Sequence, residues 1–184
     1  MSRAGYVLAG GRSSRMGRDK ALLPFRGGAL AESIARAVLL AAGAVVIVGR
    51  PELATWSTIP DLYPGEGPLG GILTALRHSR AQWNLIVACD MPQLTPAFLA
   101  ELLDAAENAE ADALLPAGPT GLPEPLCAVY HRRALNTIGE AFEAGIRKVT
   151  DALAGVDVVA YPVTEMAQFQ NVNTPEDWAG YAAE

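Results

Sequence analysis

Short apolar runs alternate with helix-forming stretches along this chain, and that alternation limits the folds it can adopt. In the first half, the strand-like runs are residues 4–9, 44–48, 58–59 and 84–89. The helical patterns are residues 29–42, residues 67–79 and a stretch that begins at Thr95-Pro96, a favourable cap and first turn. This pattern predicts an α/β fold with a mainly parallel sheet and helices on both faces.

The second half is less regular but continues the pattern. Its strand-like runs are residues 112–116, 126–130 and 156–163, with a Gly/Pro-rich loop between the first two. Its helical patterns are residues 132–143, residues 146–154 and a helix start at Thr174-Pro175-Glu176-Asp177. Because no linker or internal repeat separates the halves, we predict one domain over residues 1–184.

A glycine-rich segment, residues 8–20, includes the end of the first strand-like run and continues beyond it. Glycines let backbone N–H groups approach a ligand, and Arg15 and Lys20 add positive charge, a combination that suits the phosphates of a nucleoside triphosphate. The spacing is not that of a Walker A loop, because Lys20 stands three residues past the last glycine. Nor is it a dinucleotide fingerprint, since Gly10 and Gly11 are adjacent. A solvated surface turn is the alternative.

The net charge of −6 argues against a nucleic-acid partner, which normally needs a basic face. No apolar run approaches the roughly 20 residues of a membrane span, and no positively charged segment followed by an apolar one opens the sequence. We therefore expect a cytoplasmic protein without a membrane partner. Cys89 and Cys127 lie in apolar runs and are expected to be reduced core residues.

Asp90 directly follows the strand-like run 84–89. Ligands of open α/β sheets bind beyond the carboxyl ends of the strands, and Asp90 and the glycine-rich segment both lie at such ends. Mg²⁺ commonly takes one or two carboxylates together with phosphate oxygens and water, which makes Asp90 a candidate magnesium ligand. A helix N-cap or a loop-bracing aspartate is the alternative. Asp19 is a further metal candidate, or it neutralises Arg18 or Lys20.

Three other groups of residues are candidates for binding. Asp61 can accept from the N1–H and 2-amino groups of guanine, hold a ribose hydroxyl, or brace a turn. Asn171 and Asn173 point the same way on an extended segment, which suits ligand contacts, capping or loop bracing. Arg147 and Lys148 can bind an anionic acceptor or form a solvated helix start.

These residues suit nucleotidyl transfer, in which an oxygen nucleophile attacks the α-phosphorus of a nucleotide and pyrophosphate leaves. The protein mainly positions groups and stabilises charge, so the reaction needs no protein nucleophile. The sequence offers no convincing Ser-His-Asp or Cys-His constellation that would indicate another chemistry.

Five ordered blocks resemble the molybdenum cofactor guanylyltransferases, the MobA-like nucleotidyltransferases. The blocks are LAGGRSSRMGRDKALL, GPLGGILTAL, ACDMP, PLCAVY and NVNTPEDW. The first block alone is shared with sugar-nucleotide and other transferases, whereas the five together cover nearly the whole chain. The resemblance implies a Rossmann-like, three-layer α/β/α domain, with a nucleotide-binding half at about residues 1–95 and an acceptor-binding half at about residues 96–184.

The resemblance also implies a reaction. GMP passes from GTP to the terminal phosphate of molybdenum-bound molybdopterin, giving a guanine dinucleotide cofactor and pyrophosphate, with Mg²⁺ as cofactor. Other cofactor-biosynthesis or molybdoenzyme-maturation proteins are implied as partners.

Residue roles follow from the matched motif positions. The implied nucleotide-binding residues are Leu8, Ala9, Gly10, Gly11, Lys20, Asp61 and Asp90. The implied catalytic residues are Arg15, Lys20 and Asp90, and Asp90 is also the implied metal ligand. The implied acceptor-binding residues are Arg147, Lys148, Asn171 and Asn173. The chain departs from the pattern at Val48-Gly49, where some members carry an asparagine that contacts the nucleotide.

Two alternatives stay open from the sequence. A molybdopterin cytidylyltransferase would perform the same transfer with CTP, although Gly10-Gly11 and Asn171-Val172-Asn173 favour the guanylyl branch. A non-catalytic nucleotide-binding accessory protein would keep the glycine-rich segment and could lose the metal ligand, whereas this chain retains both Lys20 and Asp90.

Overall fold

The computed structural model describes residues 2–10 and 19–181 of the chain. In chain order its elements are β1 (Arg3–Leu8), β2 (Pro24–Phe25), β3 (Gly28–Ala29), α1 (Leu30–Ala42), β4 (Val45–Val48), β5 (Thr58–Ile59), α2 (Pro68–His78), β6 (Trp83–Ala88), α3 (Pro96–Asn108), β7 (Ala113–Ala117), β8 (Cys127–His131), α4 (Ala134–Glu143), α5 (Val149–Ala152), β9 (Val158–Pro162) and α6 (Pro175–Ala179).

Seven strands form one sheet in the order β5-β4-β1-β6-β8-β7-β9. All its pairs are parallel except those of β8, which runs antiparallel to β6 and β7. Leu8 lies beside Val48 on one side and Ala88 on the other, so β1, β4 and β6 end at the same level. The predicted α/β fold with a mainly parallel sheet is confirmed.

Helices cover both faces of this sheet, as predicted. Alternation along β6 sends Leu85 and Val87 into the core layer under α1 and α3, and Ile86 into the layer under α2 and α4. All six residues of β6 are buried, as expected for a strand covered on both faces. Each fully buried aliphatic side chain of this kind stabilises the fold by about 2 kcal/mol.

The predicted boundaries of the first half agree with the structure to within one or two residues, and Gly43 ends α1 in the left-handed region as a C-cap. Two later elements are shorter than predicted. The helix expected at residues 146–154 is a single turn, α5, continued by the 3₁₀ turn Leu153–Gly155. The strand expected from Val156 starts at Val158, because the Val156 N–H donates to Leu153 C=O and closes that turn.

The hairpin of β2 and β3 was not predicted, because its strands have two residues each and no alternating pattern. Phe25 of this hairpin contacts the Trp178 ring edge-on, with centroids 5.9 Å apart. The hairpin after the glycine-rich segment therefore packs against the last helix.

The predicted capping box starts α6, since the Asp177 N–H donates to Thr174 Oγ1 and Asp177 Oδ2 accepts from the Thr174 N–H.

Within residues 2–10 and 19–181, none of the helices is both long enough and apolar enough to cross a membrane.

Candidate active site

A cavity of about 380 Å³ opens at the carboxyl ends of β1, β4 and β6. This edge is where parallel α/β sheets bind ligands, and the volume is within the usual range for a small-molecule site. Of the residues predicted to bind nucleotide, those that line the cavity are Leu8, Ala9, Gly10, Lys20, Asp61 and Asp90. Gly11 and Arg15, also predicted there, lie outside the described residues.

Lys20 reaches the carboxyl end of the central strand from the segment that follows the glycines. It starts a 3₁₀ turn, Lys20–Leu22, that Asp19 caps by accepting from the Ala21 N–H at 3.1 Å. Lys20 Nζ donates to Asn173 Oδ1 at 2.6 Å and lies 3.7 Å from Asp90 Oδ2. Three of the predicted site residues therefore meet at one ammonium group.

The segment before α6 reaches this point through a backbone hydrogen bond. The Val172 N–H donates to Asp90 C=O at 2.9 Å. Val172 is fully buried, while Asn171 and Asn173 on either side are more exposed, in the alternation expected of an extended segment. Residues that are 82 positions apart in sequence are thus joined beside the cavity.

Two buried oxygen atoms near this junction have no hydrogen-bond partner among the described residues: Asp90 Oδ1 and Asn171 Oδ1. A buried acceptor left unpaired costs about 1–3 kcal/mol, so a ligand that brings positive charge or a donor removes that cost. Carboxylate and amide oxygens are ligands that Mg²⁺ accepts. The described residues contain no group of three or more His, Cys, Asp or Glu that could hold a metal, so a magnesium ion here would take further ligands from phosphate and water.

The electrostatics of Asp90 favour a bound cation. Burial raises the pKa of its carboxyl group above the ordinary value, and the nearby Lys20 ammonium opposes that rise. Additional positive charge beside Asp90 would stabilise the ionised carboxylate further.

Asp61 both braces a turn and lines the cavity. The predicted role in the turn is therefore compatible with a contact to a ligand. Its Oδ1 accepts from the Tyr63 N–H at 2.9 Å and lies 3.0 Å from Thr74 Oγ1. Its Oδ2 is the atom nearest to a Cβ built on Gly10, at 3.5 Å. One oxygen is therefore fixed by the protein and the other is directed at the glycine-rich segment.

Arg50 is a cavity residue that the sequence analysis missed. Its side chain is 14% exposed, and Nη2 lies 2.8 Å from Asp19 Oδ2 while Nη1 donates to Gly49 C=O at 2.9 Å. Asp19 pairs with Arg50, a partner that the sequence analysis did not consider, and Arg18, one of its two expected partners, lies outside the described residues. The sequence signal that could have indicated Arg50 is a cation two residues after the end of β4, at the same end of the sheet as Asp90.

Glu124 is a second residue that the sequence analysis missed. Its Oε1 accepts from the N–H of Leu126, a cavity-lining residue, at 3.0 Å. Burial raises the pKa of the Glu124 carboxyl group, and the negative charge of Asp90 raises it further. A partly buried carboxyl group therefore lies close to the site on the side of the second half.

Arg147 and Lys148, predicted to bind the acceptor, are placed differently from each other. Arg147 is 42% exposed just before α5, its Nε donates to Glu66, and its guanidinium lies 4.0 Å from the centre of the Phe142 ring. Glu66 stands between two cavity-lining glycines. Lys148 is exposed and pairs with Asp151 at 3.1 Å. Among the described residues that line the cavity, neither cation appears.

The family profile described as the MobA-like NTP transferase domain matches residues 5–158. This chain belongs to the MobA-like NTP transferase family. The molybdenum cofactor guanylyltransferase of Xanthomonas euvesicatoria pv. vesicatoria is 39% identical over 187 residues, covering 95% of this chain and 92% of that protein. The family is one of nucleotidyltransferases, and the chain is an enzyme of that class.

Solved structures share the fold of this MobA-like transferase. Molybdopterin-guanine dinucleotide biosynthesis protein A from Archaeoglobus fulgidus superposes with a TM-score of 0.84 at 32% identity, covering 98% of this chain and 97% of that one. Rv0371c from Mycobacterium tuberculosis, in complex with manganese, superposes with a TM-score of 0.69 at 18% identity over the full length of both chains. The first likeness supports the family, and the second shows the fold alone.

The structure explains the departure of this MobA-like transferase at Val48-Gly49. Gly49 has a φ of +84°, and a Cβ built on it would lie 2.9 Å from Gly10 Cα. No side chain fits there without moving the glycine-rich segment, so the next residue, Arg50, supplies the side chain from this strand end.

The glycines before and within α2 have two different roles. Gly65 and Gly67 line the cavity, which leaves space for a ligand. A Cβ on Gly70 would lie 2.9 Å from Tyr63 Cβ, so this glycine allows close packing instead.

Proposed function

We propose that this enzyme transfers GMP from GTP to the terminal phosphate of molybdenum-bound molybdopterin, releasing pyrophosphate. The observation that carries the proposal is the convergence of Lys20, Asp90 and Asn173 at the cavity beside the glycine-rich segment. The names of the Xanthomonas relative and the Archaeoglobus structure support guanine nucleotide and molybdopterin as the substrates.

GTP is proposed to occupy the cavity, with its phosphates against the backbone of Leu8, Ala9, Gly10 and Gly11. Lys20, together with Arg15, would neutralise charge on the triphosphate as pyrophosphate forms. Asp61 would hold the nucleoside end through Oδ2, since its Oδ1 is occupied by the turn. A carboxylate there suits the adjacent N1–H and 2-amino donors of guanine, a pair that cytosine does not present.

Asp90 is proposed to hold Mg²⁺ through its buried Oδ1, which has no hydrogen-bond partner among the described residues. The ion would stabilise negative charge on phosphate oxygens during transfer. Lys20 and Asn173 hold the other side of the site, so Asp90 Oδ2 keeps a fixed direction.

The acceptor is proposed to bind from the second half of the chain, residues 96–184. Arg147 and Lys148 would attract its phosphate, and Asn171 and Asn173 would contact it at the junction with the donor. An oxygen of the acceptor's terminal phosphate would attack the α-phosphorus of GTP. The bond between the α-phosphorus and its bridging oxygen would break, and pyrophosphate would leave with the electron pair.

Two further assignments belong to this proposal. A cytoplasmic location is supported by the free, buried state of Cys89 and Cys127. Other cofactor-biosynthesis or molybdoenzyme-maturation proteins would deliver the acceptor or receive the product.

The test is pyrophosphate release by the purified protein with Mg²⁺ and a molybdopterin-loaded acceptor, comparing GTP, CTP, ATP and UTP. Release with GTP above the other three nucleotides is expected. The matched control is Arg3→Gln, which removes an ion-paired arginine that does not line the cavity and should leave release unchanged. Preference for CTP would move the enzyme to the cytidylyl branch. GTP binding without release from any nucleotide would contradict the proposal and favour a non-catalytic role.

A further inference from the structure

Two of the described residues that line the cavity are cations, Lys20 and Arg50. The family resemblance assigns a role to Lys20 but none to Arg50. Arg50 follows β4 directly after Gly49, whose backbone lies against Gly10. The side chain is 14% exposed and lines the same cavity as Lys20 and Asp90. An arginine buried to this degree requires specific partners, because its charge cannot be lost by deprotonation.

The partner that connects Arg50 to the reaction site is Asp19. Arg50 Nη2 lies 2.8 Å from Asp19 Oδ2, and Arg50 Nη1 donates to Gly49 C=O at 2.9 Å. Two guanidinium nitrogens are therefore directed at once, which fixes the plane of the group more firmly than a lysine ammonium could.

The second oxygen of Asp19 acts on the turn that carries Lys20. Asp19 Oδ1 accepts from the Ala21 N–H at 3.1 Å and caps the turn Lys20–Leu22. The carboxylate thus joins Arg50 on one side to the backbone beside Lys20 on the other. Lys20 Nζ in turn donates to Asn173 Oδ1 and lies 3.7 Å from Asp90.

We propose that Arg50 is a positioning residue for the transfer reaction: through Asp19, it holds the turn that presents the Lys20 ammonium group at Asp90. The role of Arg50 in transfer rests on the proposed function, whereas its role in placing Lys20 does not. Without Arg50, Asp19 keeps its cap but loses the partner that orients its carboxylate. The Lys20 ammonium group then loses its fixed position beside Asp90.

The placement is tested by the chemical reactivity of Lys20. Lys20 and Lys148 are the two lysines of the chain, and Lys148 is 72% exposed, so it serves as an internal standard. A water-soluble acylating reagent is applied to the protein without nucleotide, and both sites are quantified by mass spectrometry. Arg50→Gln and Asp19→Asn are each expected to raise the ratio of Lys20 to Lys148 acylation several-fold, because a released ammonium group is more accessible. Arg50→Lys is expected to give an intermediate ratio, and Arg3→Gln the wild-type ratio.

The role in catalysis is tested by the kinetics of pyrophosphate release. Arg50→Gln is expected to lower kcat/KM for GTP about 10- to 100-fold, with most of the loss in kcat, and Arg50→Lys to restore part of it. The double variant Asp19→Asn/Arg50→Gln is expected to be no worse than Arg50→Gln, because the two residues act through one pair. Thermal unfolding of each variant checks that it is folded.

Three outcomes would overturn the proposal. Unchanged Lys20 reactivity in Arg50→Gln would show that Arg50 does not place the lysine. Additive losses in the double variant would show that Arg50 acts on the triphosphate directly. Raised Lys20 reactivity in an Arg50→Gln protein with wild-type kcat/KM would show that the placement does not serve transfer. A wild-type protein that releases no pyrophosphate would instead contradict the proposed function, and the acylation ratio would still decide the placement.

Discussion

Lys20 and Asn173 lie 153 residues apart in the chain, and Lys20 Nζ donates a hydrogen bond to Asn173 Oδ1 at 2.6 Å. This contact joins the turn after the glycine-rich segment to the segment before α6. Asn173 is itself fixed, since its N–H donates to Asp177 Oδ2 at 2.9 Å. The lysine is therefore directed by a neutral acceptor while its ammonium group lies beside the Asp90 carboxylate.

Replacement of Asn173 by alanine removes that acceptor. We expect Asn173→Ala to lower kcat/KM for GTP by about 10- to 100-fold, because Lys20 becomes mobile in the site. The assay is pyrophosphate release at saturating acceptor. Asn136→Ala, which removes an exposed amide on α4, is the matched control and should match the wild type. Equal kinetics for both variants would show that the Lys20–Asn173 contact is dispensable.

Replacement of Asp90 by asparagine keeps the shape of the side chain and removes its charge. We expect Asp90→Asn to lower turnover in Mg²⁺ by about 10²- to 10⁴-fold while the protein stays folded, because the proposed metal ligand is lost. Pyrophosphate release measures the first effect, and near-UV circular dichroism with thermal unfolding measures the second. Asp104→Asn, at an exposed site on α3, is the control. Normal turnover by Asp90→Asn would remove Asp90 from the mechanism.

Asp61 can be tested for base recognition with modified nucleotides. Inosine triphosphate lacks the 2-amino group of GTP, and 2′-deoxy-GTP lacks one ribose hydroxyl. If Asp61 reads the base, the wild type prefers GTP over inosine triphosphate by about 10-fold or more and Asp61→Asn loses that preference. Thr74→Val, which removes the hydroxyl beside Asp61 Oδ1, should weaken the preference less.

A preference of the wild type for GTP over 2′-deoxy-GTP that disappears in Asp61→Asn would instead assign this carboxylate to the ribose. Retention of both preferences in Asp61→Asn would contradict any direct contact between Asp61 and the nucleoside.

Glu124 makes the stability of the fold depend on pH. Because burial raises the pKa of Glu124 in the folded protein, the folded state holds the proton more tightly than the unfolded chain. As pH rises through the ordinary glutamate pKa and then the raised one, this group lowers the free energy of unfolding, and the loss is complete above the raised value. Glutamine at this position does not titrate and keeps an oxygen for the Leu126 N–H.

We therefore expect Glu124→Gln to be more stable than the wild type at neutral pH and to lose that advantage in acid. Urea unfolding between pH 4 and pH 8, without nucleotide, measures the difference. A difference that does not vary with pH, or one that grows in acid, would contradict the assigned environment of Glu124.

Local pattern was enough to predict most elements of the first half. The largely apolar run of β6 and the C-cap at Gly43 depend on neighbours in sequence, so single-sequence reasoning locates them. The short α5 and the hairpin β2–β3 were predicted poorly or not at all. Their few residues carry no periodic signal. The hairpin also packs against a segment far away in sequence, through the contact between Phe25 and Trp178.

The sequence by itself determined the class of fold, the end of the sheet at which the cavity opens, and the identity of Lys20, Asp61 and Asp90 as candidates. Each of these follows from a strand end or a glycine-rich turn, which are properties of short segments. Only the tertiary structure decided that Asn173 reaches Lys20 and that Arg50 reaches Asp19. Those contacts depend on the order of strands in the sheet and on the path of the last segment, because side chains far apart in sequence meet only where packing of the whole chain brings them together.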